Sequence, residues 1–296
     1  MIQAPSSIET DTLADWAEAS CLFGRHAFVS ESELEHTLYE AGTPGIEDKV
    51  SDIRREIDLR HRKIGEAHPV RTQRGEFERT QQWTDNPAYA FQLLLALKDE
   101  YESTRITGRR WNDTAKLFER LATLALKKYL QGEAINVGHP RDPEIRSFPD
   151  CLDRICNELD EALGERKMYD SDTKDDLVDI VAWRRFGDKR PGQVIILAGC
   201  AAGGGWRDKA LEIKAGLEYW KLHIHWTVMP ISAFAFPYVC LDNVEWGRFS
   251  RSGGLLLDRL RITAMFMNGD DSFVRVQTQL KEWCEEQAKL LPSLDR

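Results

Sequence analysis

Between Asp172 and Lys209 the chain gathers residue types that phosphate chemistry uses. Asp175 and Asp176 lead into an apolar stretch that holds Asp179 between Val178 and Ile180. A charged turn follows, then a second apolar run from Val194 to Ala198, then a loop of small residues that ends in Gly203, Gly204 and Gly205. A carboxylate on one strand of a hairpin, with polar groups at the end of the next, can hold Mg²⁺ or Mn²⁺ against a phosphate. Strand propensity alone disfavours an aspartate at such a place. The alternation with Val178 and Ile180 turns the Asp179 carboxylate away from those apolar side chains. The plainer alternative is an aspartate at a strand end that accepts backbone hydrogen bonds.

Other residues could complete such a site. Glu119, within Leu117–Phe118–Glu119–Arg120–Leu121, sits at the edge of an apolar helix face and is a candidate second ligand or water anchor; an exposed helix glutamate paired with a neighbour is the alternative. Asp176 is a candidate helper ligand, whereas Asp175 fits a solvated turn. A glycine loop before a helix exposes N–H groups to anions, and Lys209 falls in the first turn of that helix, a candidate cation for the transition state. No GxxxxGK[ST] pattern occurs, so this is not a Walker loop. Arg184, Arg185, Lys189 and Arg190 crowd the hairpin and are candidate contacts to a nucleic-acid backbone, against the alternative of a solvated face. Arg105, Arg109 and Arg110 form a second basic group.

The elements that must position these residues follow from periodicity. Residues 8 to 65 predict helices: Leu13, Trp16, Ala17, Ser20 and Cys21 share a face, a Ser-capped helix ends at Gly42, and Ile46, Val50, Ile53, Ile57 and Ile64 make one stripe. Residues 66 to 86 read as polar and irregular. Apolar helices follow from Pro87 to Tyr101 and from about Trp111 to Gly132, the latter carrying Glu119. A short strand (133–138), a helix (147–165), the strand–turn–strand–loop–helix of the opening segment, and a strand–loop–strand over 223–240 come next. Arg251 to Met267 fits a strand or a helix, with Arg259 and Arg261 lining a groove or pairing with Asp258. A helix closes the chain from Val274 to Leu291. The fold class expected is α/β (α+β), a mixed central sheet flanked by helices, with an α-helical segment over 1–100 and the site-bearing domain over 101–296.

Composition bounds the rest. With 296 residues, 42% of them hydrophobic and 30% charged, the chain can build a sizeable core. No apolar run approaches a membrane span, and the first residues lack a signal-peptide pattern. Six cysteines without a CxxC pair or zinc spacing suit a reduced, cytoplasmic protein. A net charge of −9 argues against a surface that is one continuous nucleic-acid footprint. His223 and His225 alternate and could share a face toward a metal, but no third ligand is evident and an ordinary polar strand face is the favoured reading. Trp16, Trp83 and Trp283 read as core anchors.

The segment from 115 to 215 resembles the PD-(D/E)xK, restriction-endonuclease-like superfamily, and more narrowly its Mrr-like, phage-defence branch. Phe118–Glu119 is similar to the helix glutamate of that branch, Asp175 to Ile180 to its aspartate strand with Asp179 leading, and Val194 to Leu197 to the strand that follows. The resemblance implies a Mg²⁺- (or Mn²⁺-) dependent DNA endonuclease in antiviral defence or restriction, acting on double-stranded DNA. It implies metal ligands Asp179, Glu119 and Asp176, with catalytic roles for Asp179, Glu119 and Lys209. An ATPase or translocase partner subunit and a homo-oligomer are compatible with it; a membrane is not expected. The pattern departs at the second strand: the Glu or Gln expected near Gly199 and the lysine expected near Ala201 are absent. Either Lys209 supplies the cation from the next helix, or the chain is a catalytically degenerate subunit that binds DNA or a partner. A cysteine-dependent enzyme centred on Cys200 is a third reading.

Overall fold

The computed structural model describes residues 1–138, 147–164, 177–266 and 273–293. In chain order the elements are α1 (Thr10–Phe23), β1 (Phe28–Ser30), α2 (Glu31–Glu40), α3 (Ile46–Ile64), β2 (Val70–Gln73), β3 (Glu76–Arg79), α4 (Pro87–Leu97), α5 (Gly108–Leu130), β4 (Glu133–Asn136) and α6 (Phe148–Leu159). There follow β5 (Ala162–Leu163), β6 (Ile180–Arg184), β7 (Val194–Cys200), α7 (Trp206–His223), β8 (Ile224–His225), β9 (Ile231–Ala235), α8 (Asn243–Gly253), β10 (Leu255–Leu257), α9 (Arg259–Ala264) and α10 (Val274–Ala288). The fold is mixed α/β, with a five-stranded mixed sheet flanked by helices.

The chain forms two compact units, both discontinuous in sequence: Met1–Leu117 with Pro237–Leu241 and Asp258–Arg296, and Phe118–Phe236 with Asp242–Leu257. The division falls inside α5 rather than near residue 100, and the C-terminal helices belong with the N-terminal ones. Local sequence does not announce that return, because a helix face records only that it is covered, not by which part of the chain.

In the first unit, α1 is buried almost all round, from Leu13 to Leu22. Its carboxylates Asp15 and Glu18 are therefore inside the unit and must be paired. Asp15 receives a two-pronged bond from Arg259 (2.7 and 2.6 Å) and a further one from Arg60 at 2.5 Å. Glu18 takes the Tyr89 hydroxyl at 2.5 Å, lies 2.9 Å from His68 Nε2 and 3.2 Å from Arg60. Burial would raise the Glu18 pKa, but Arg60, then His68 and Arg259, outweigh it and hold the carboxyl at about 2. Burial likewise opposes the charge on Arg60, and the carboxylates of Glu18, Asp15 and Glu56 overcome it and raise its pKa. Arg259 thus pairs with Asp15, neither lining a groove nor bonding Asp258; Asp258 instead caps α9 through the Arg261 N–H.

A three-stranded antiparallel sheet, β1-β3-β2, also belongs to this unit, where the sequence suggested an irregular stretch. Gln73 pairs with Glu76 across a two-residue turn in which Arg74 and Gly75 both have positive φ (50° and 83°), the primed geometry that suits hairpin twist. Only Val70 and Phe77 of these two strands are buried, so the period-two apolar signal is almost absent.

The second unit holds the large sheet, in the order β10-β9-β7-β6-β4. β4, β6 and β7 run antiparallel in sequence order; α7 then carries the chain to β9, parallel to β7, and α8 leads to β10, parallel to β9. Ile180 to Trp183 of β6 are all buried, so both faces of the sheet are covered there. On one face Val181, Trp183, Ile195 and Leu197 pack with Leu152, Ile155 and Leu159 of α6 and Ile213 and Trp220 of α7. The strand–loop–strand expected over 223–240 is present as β8 and β9, and Asp242 begins α8 by accepting the Glu245 N–H at 2.6 Å.

Candidate active site

Asp179 stands one residue before β6, not within it. Its N–H donates to the Ala198 carbonyl at 2.9 Å, and its own carbonyl accepts from Val137 N–H at 2.8 Å and Gly138 N–H at 3.2 Å. The ladder therefore fixes its backbone between β4 and β7. The side chain is half-buried, and its Oδ2 accepts the Cys200 N–H at 2.7 Å. The carboxylate thus does accept a backbone hydrogen bond at a strand end, one of the two roles its sequence position allows.

Glu119 reaches the same end of the sheet from α5. Its Oε2 accepts from Asn136 Nδ2 at 3.0 Å, and Asn136 ends β4 opposite Ile180, the neighbour of Asp179. Asn136 was not singled out from the sequence, where a lone asparagine at the end of a short strand carries no periodic signal. Sixty residues separate Glu119 and Asp179, and α5 and the β4–β6 pairing bring them to one end of the sheet. Asp176 lies outside the described residues. Among the described residues no group of three or more His, Cys, Asp and Glu side chains is set to hold a metal. Two carboxylates remain a chemically suitable donor set for Mg²⁺, which keeps several waters and takes one or two protein carboxylates plus substrate phosphate.

β7 ends beside these carboxylates, and the small-residue loop leads directly into α7. Gly205 is the N-cap residue and makes no side-chain cap bond. Lys209 is exposed in the first turn of α7. The Gly199 position is closed: a Cβ there would lie 3.2 Å from Ile213 Cδ1, 3.3 Å from Phe234 Cδ2 and 3.4 Å from the Leu177 carbonyl oxygen. A Glu or Gln in that place has no room without movement of Ile213 or Phe234. Ala201 is also buried, at 3% exposure, so a lysine there would be forced inward.

The basic residues of the hairpin are not beside this site, as their closeness in sequence suggested. Asp179, Ala198 and Cys200 mark one end of β6 and β7, and Arg184, Arg185, Lys189 and Arg190 mark the other. Five residues of strand separate Asp179 from Arg184, about 16 Å at 3.3 Å per residue. Arg184 donates to the Leu130 carbonyl (2.9 Å) and to Gln131 Oε1 (3.1 Å), where it satisfies the C-terminus of α5. Arg185 pairs with Glu158 and Arg190 with Asp188.

His223 and His225 do not share a face. His223 ends α7, buried against Phe148 and Trp220, and His225 is exposed in β8. None of the six cysteines is in a disulfide; five are buried and Cys200 is half-buried. No helix among the described residues is long and apolar enough to cross a membrane. No protein-family model matches the chain, and no curated protein or solved structure matches it either.

Proposed function

We propose that the chain is a metal-dependent DNA endonuclease of the restriction-endonuclease-like kind, acting in defence or restriction. The observation that carries this reading is the convergence of Glu119 and Asp179 at one end of the sheet through the order helix, strand, hairpin, which is the order the resemblance implies. In this reading Asp179 and Glu119 bind the divalent ion, which when bound supplies positive charge to the scissile phosphate. Lys209 and the start of α7 face developing negative charge. Purified protein incubated with supercoiled plasmid should nick or linearise it with Mg²⁺ or Mn²⁺ and leave it intact with EDTA.

A second reading is favoured by the closed position at Gly199: a nuclease-fold subunit that binds DNA or a partner without cutting it. Under that reading the plasmid stays intact with either metal and in EDTA alike.

A further inference from the structure

The tip of the β6–β7 hairpin has features that the Asp179 end does not use. From Arg184 to Arg190 the chain places four cations and one carboxylate within seven residues, all exposed. In their midst Phe186 is 76% exposed. A phenyl ring so open to water forgoes the burial that usually places it. The tip is nonetheless tied down. Phe186 N–H donates to Gln193 Oε1 at 2.8 Å, and Gly192 N–H donates to Glu161 Oε1 at 3.0 Å. The other oxygen of Glu161, a residue only 7% exposed, accepts both the N–H and the hydroxyl of Thr227 at 2.9 Å. Arg185 and Glu158 are each 44% exposed, and the Arg190–Asp188 pair is also at the surface. Exposed pairs of this kind are weak, and a phosphate takes an arginine with two parallel hydrogen bonds.

We infer that this tip is a second nucleic-acid contact, in which Phe186 stacks on an unpaired or extruded base while Arg185, Lys189 and Arg190 take the flanking phosphates. The inference rests on the nuclease reading for its choice of DNA. Charge complementarity supports it independently, since a second copy presenting its own tip would set cation against cation. Aromatic rings bind bases of any sequence through their faces, and cations track the backbone beside them. Because the strand end at Arg184 is about 16 Å from Asp179 and Phe186 lies beyond it, a DNA that reaches both would span about five nucleotides or more at 3.4 Å each.

The test is fluorescence anisotropy in EDTA, which separates binding from cleavage. The probes are a 20-nucleotide single strand, its full duplex, and a duplex with an unpaired central segment. The wild type should prefer the two probes with unpaired bases. Phe186→Ala should weaken those two roughly tenfold or more and the full duplex little, and Phe186→Trp should keep the preference. Replacing Arg185, Lys189 and Arg190 by glutamine should weaken all three probes and flatten the salt dependence. Equal affinity of wild type and Phe186→Ala for unpaired DNA, at unchanged melting temperature, overturns the inference. So does an absence of binding to every probe, and metal-dependent plasmid cleavage in that case would leave the Asp179 site standing.

Discussion

Asp179 Oδ2 accepts the Cys200 N–H, a bond that fixes its rotamer at the end of the sheet. That bond decides which substitution is informative. Asp179→Ala removes the charge and also leaves an N–H without its acceptor, a cost of about 1–3 kcal/mol if the group stays dry. Asp179→Asn keeps an acceptor for Cys200 and removes only the charge, so it separates folding from metal binding. Gly199 makes the complementary point. Placing there the glutamine of the restriction-endonuclease-like pattern, Gly199→Gln, should not raise activity. It should cost about 1–3 kcal/mol in urea unfolding, because Ile213 and Phe234 already fill the space. A stable and more active variant would show that the position is open. The sequence pointed to Asp179 and Glu119 because a carboxylate beside β-branched residues, or on the margin of an apolar helix face, departs from pattern. It could not show that Gly199 is walled in, since its neighbours come from α7 and β9.

At the level of elements, α5, α6, α7 and the β6–β7 hairpin were legible from their apolar periods and bounding turn residues, with Ser147 capping α6. The β2–β3 hairpin and α8 were not. The hairpin strands bury one residue each, and α8 has only Phe249 and Gly253 buried, so neither shows a strong apolar face. Nor do the charged residues of α1 form a solvated side. Asp15 and Glu18 lie inside, held by Arg60 of α3 and Arg259 of α9. Nothing local marks Arg259 as the partner of a residue 244 positions away. Arg259→Met leaves Asp15 with Arg60 alone and should destabilise the protein by about 3–5 kcal/mol in urea unfolding, the usual result of removing one partner of a buried pair. A loss under about 1 kcal/mol would mean that the network contributes little to holding α9.

At the scale of the whole molecule, the two units depend on different things. The second is organised by sheet pairing and apolar packing, and the first contains the buried charge network. That difference predicts a pH response. The Glu18 carboxyl is held at about 2 against an ordinary 4.5, so its contribution to stability is complete above about pH 4.5 and is lost as pH falls toward 2. At 1.36 kcal/mol per unit the loss is on the order of 3 kcal/mol. Thermal melts of wild type and Glu18→Gln should converge across that window, and parallel curves from pH 6 to pH 2.5 would contradict the assignment. Chemistry at this end of the sheet is reached most directly by one assay: supercoiled plasmid with Mg²⁺, Mn²⁺ or EDTA, wild type beside Asp179→Asn of matched melting temperature. Metal-dependent cleavage by the wild type that falls a hundredfold or more in the variant is the result expected. Cleavage undiminished in Asp179→Asn, or an intact plasmid with the wild type and either metal, would contradict it.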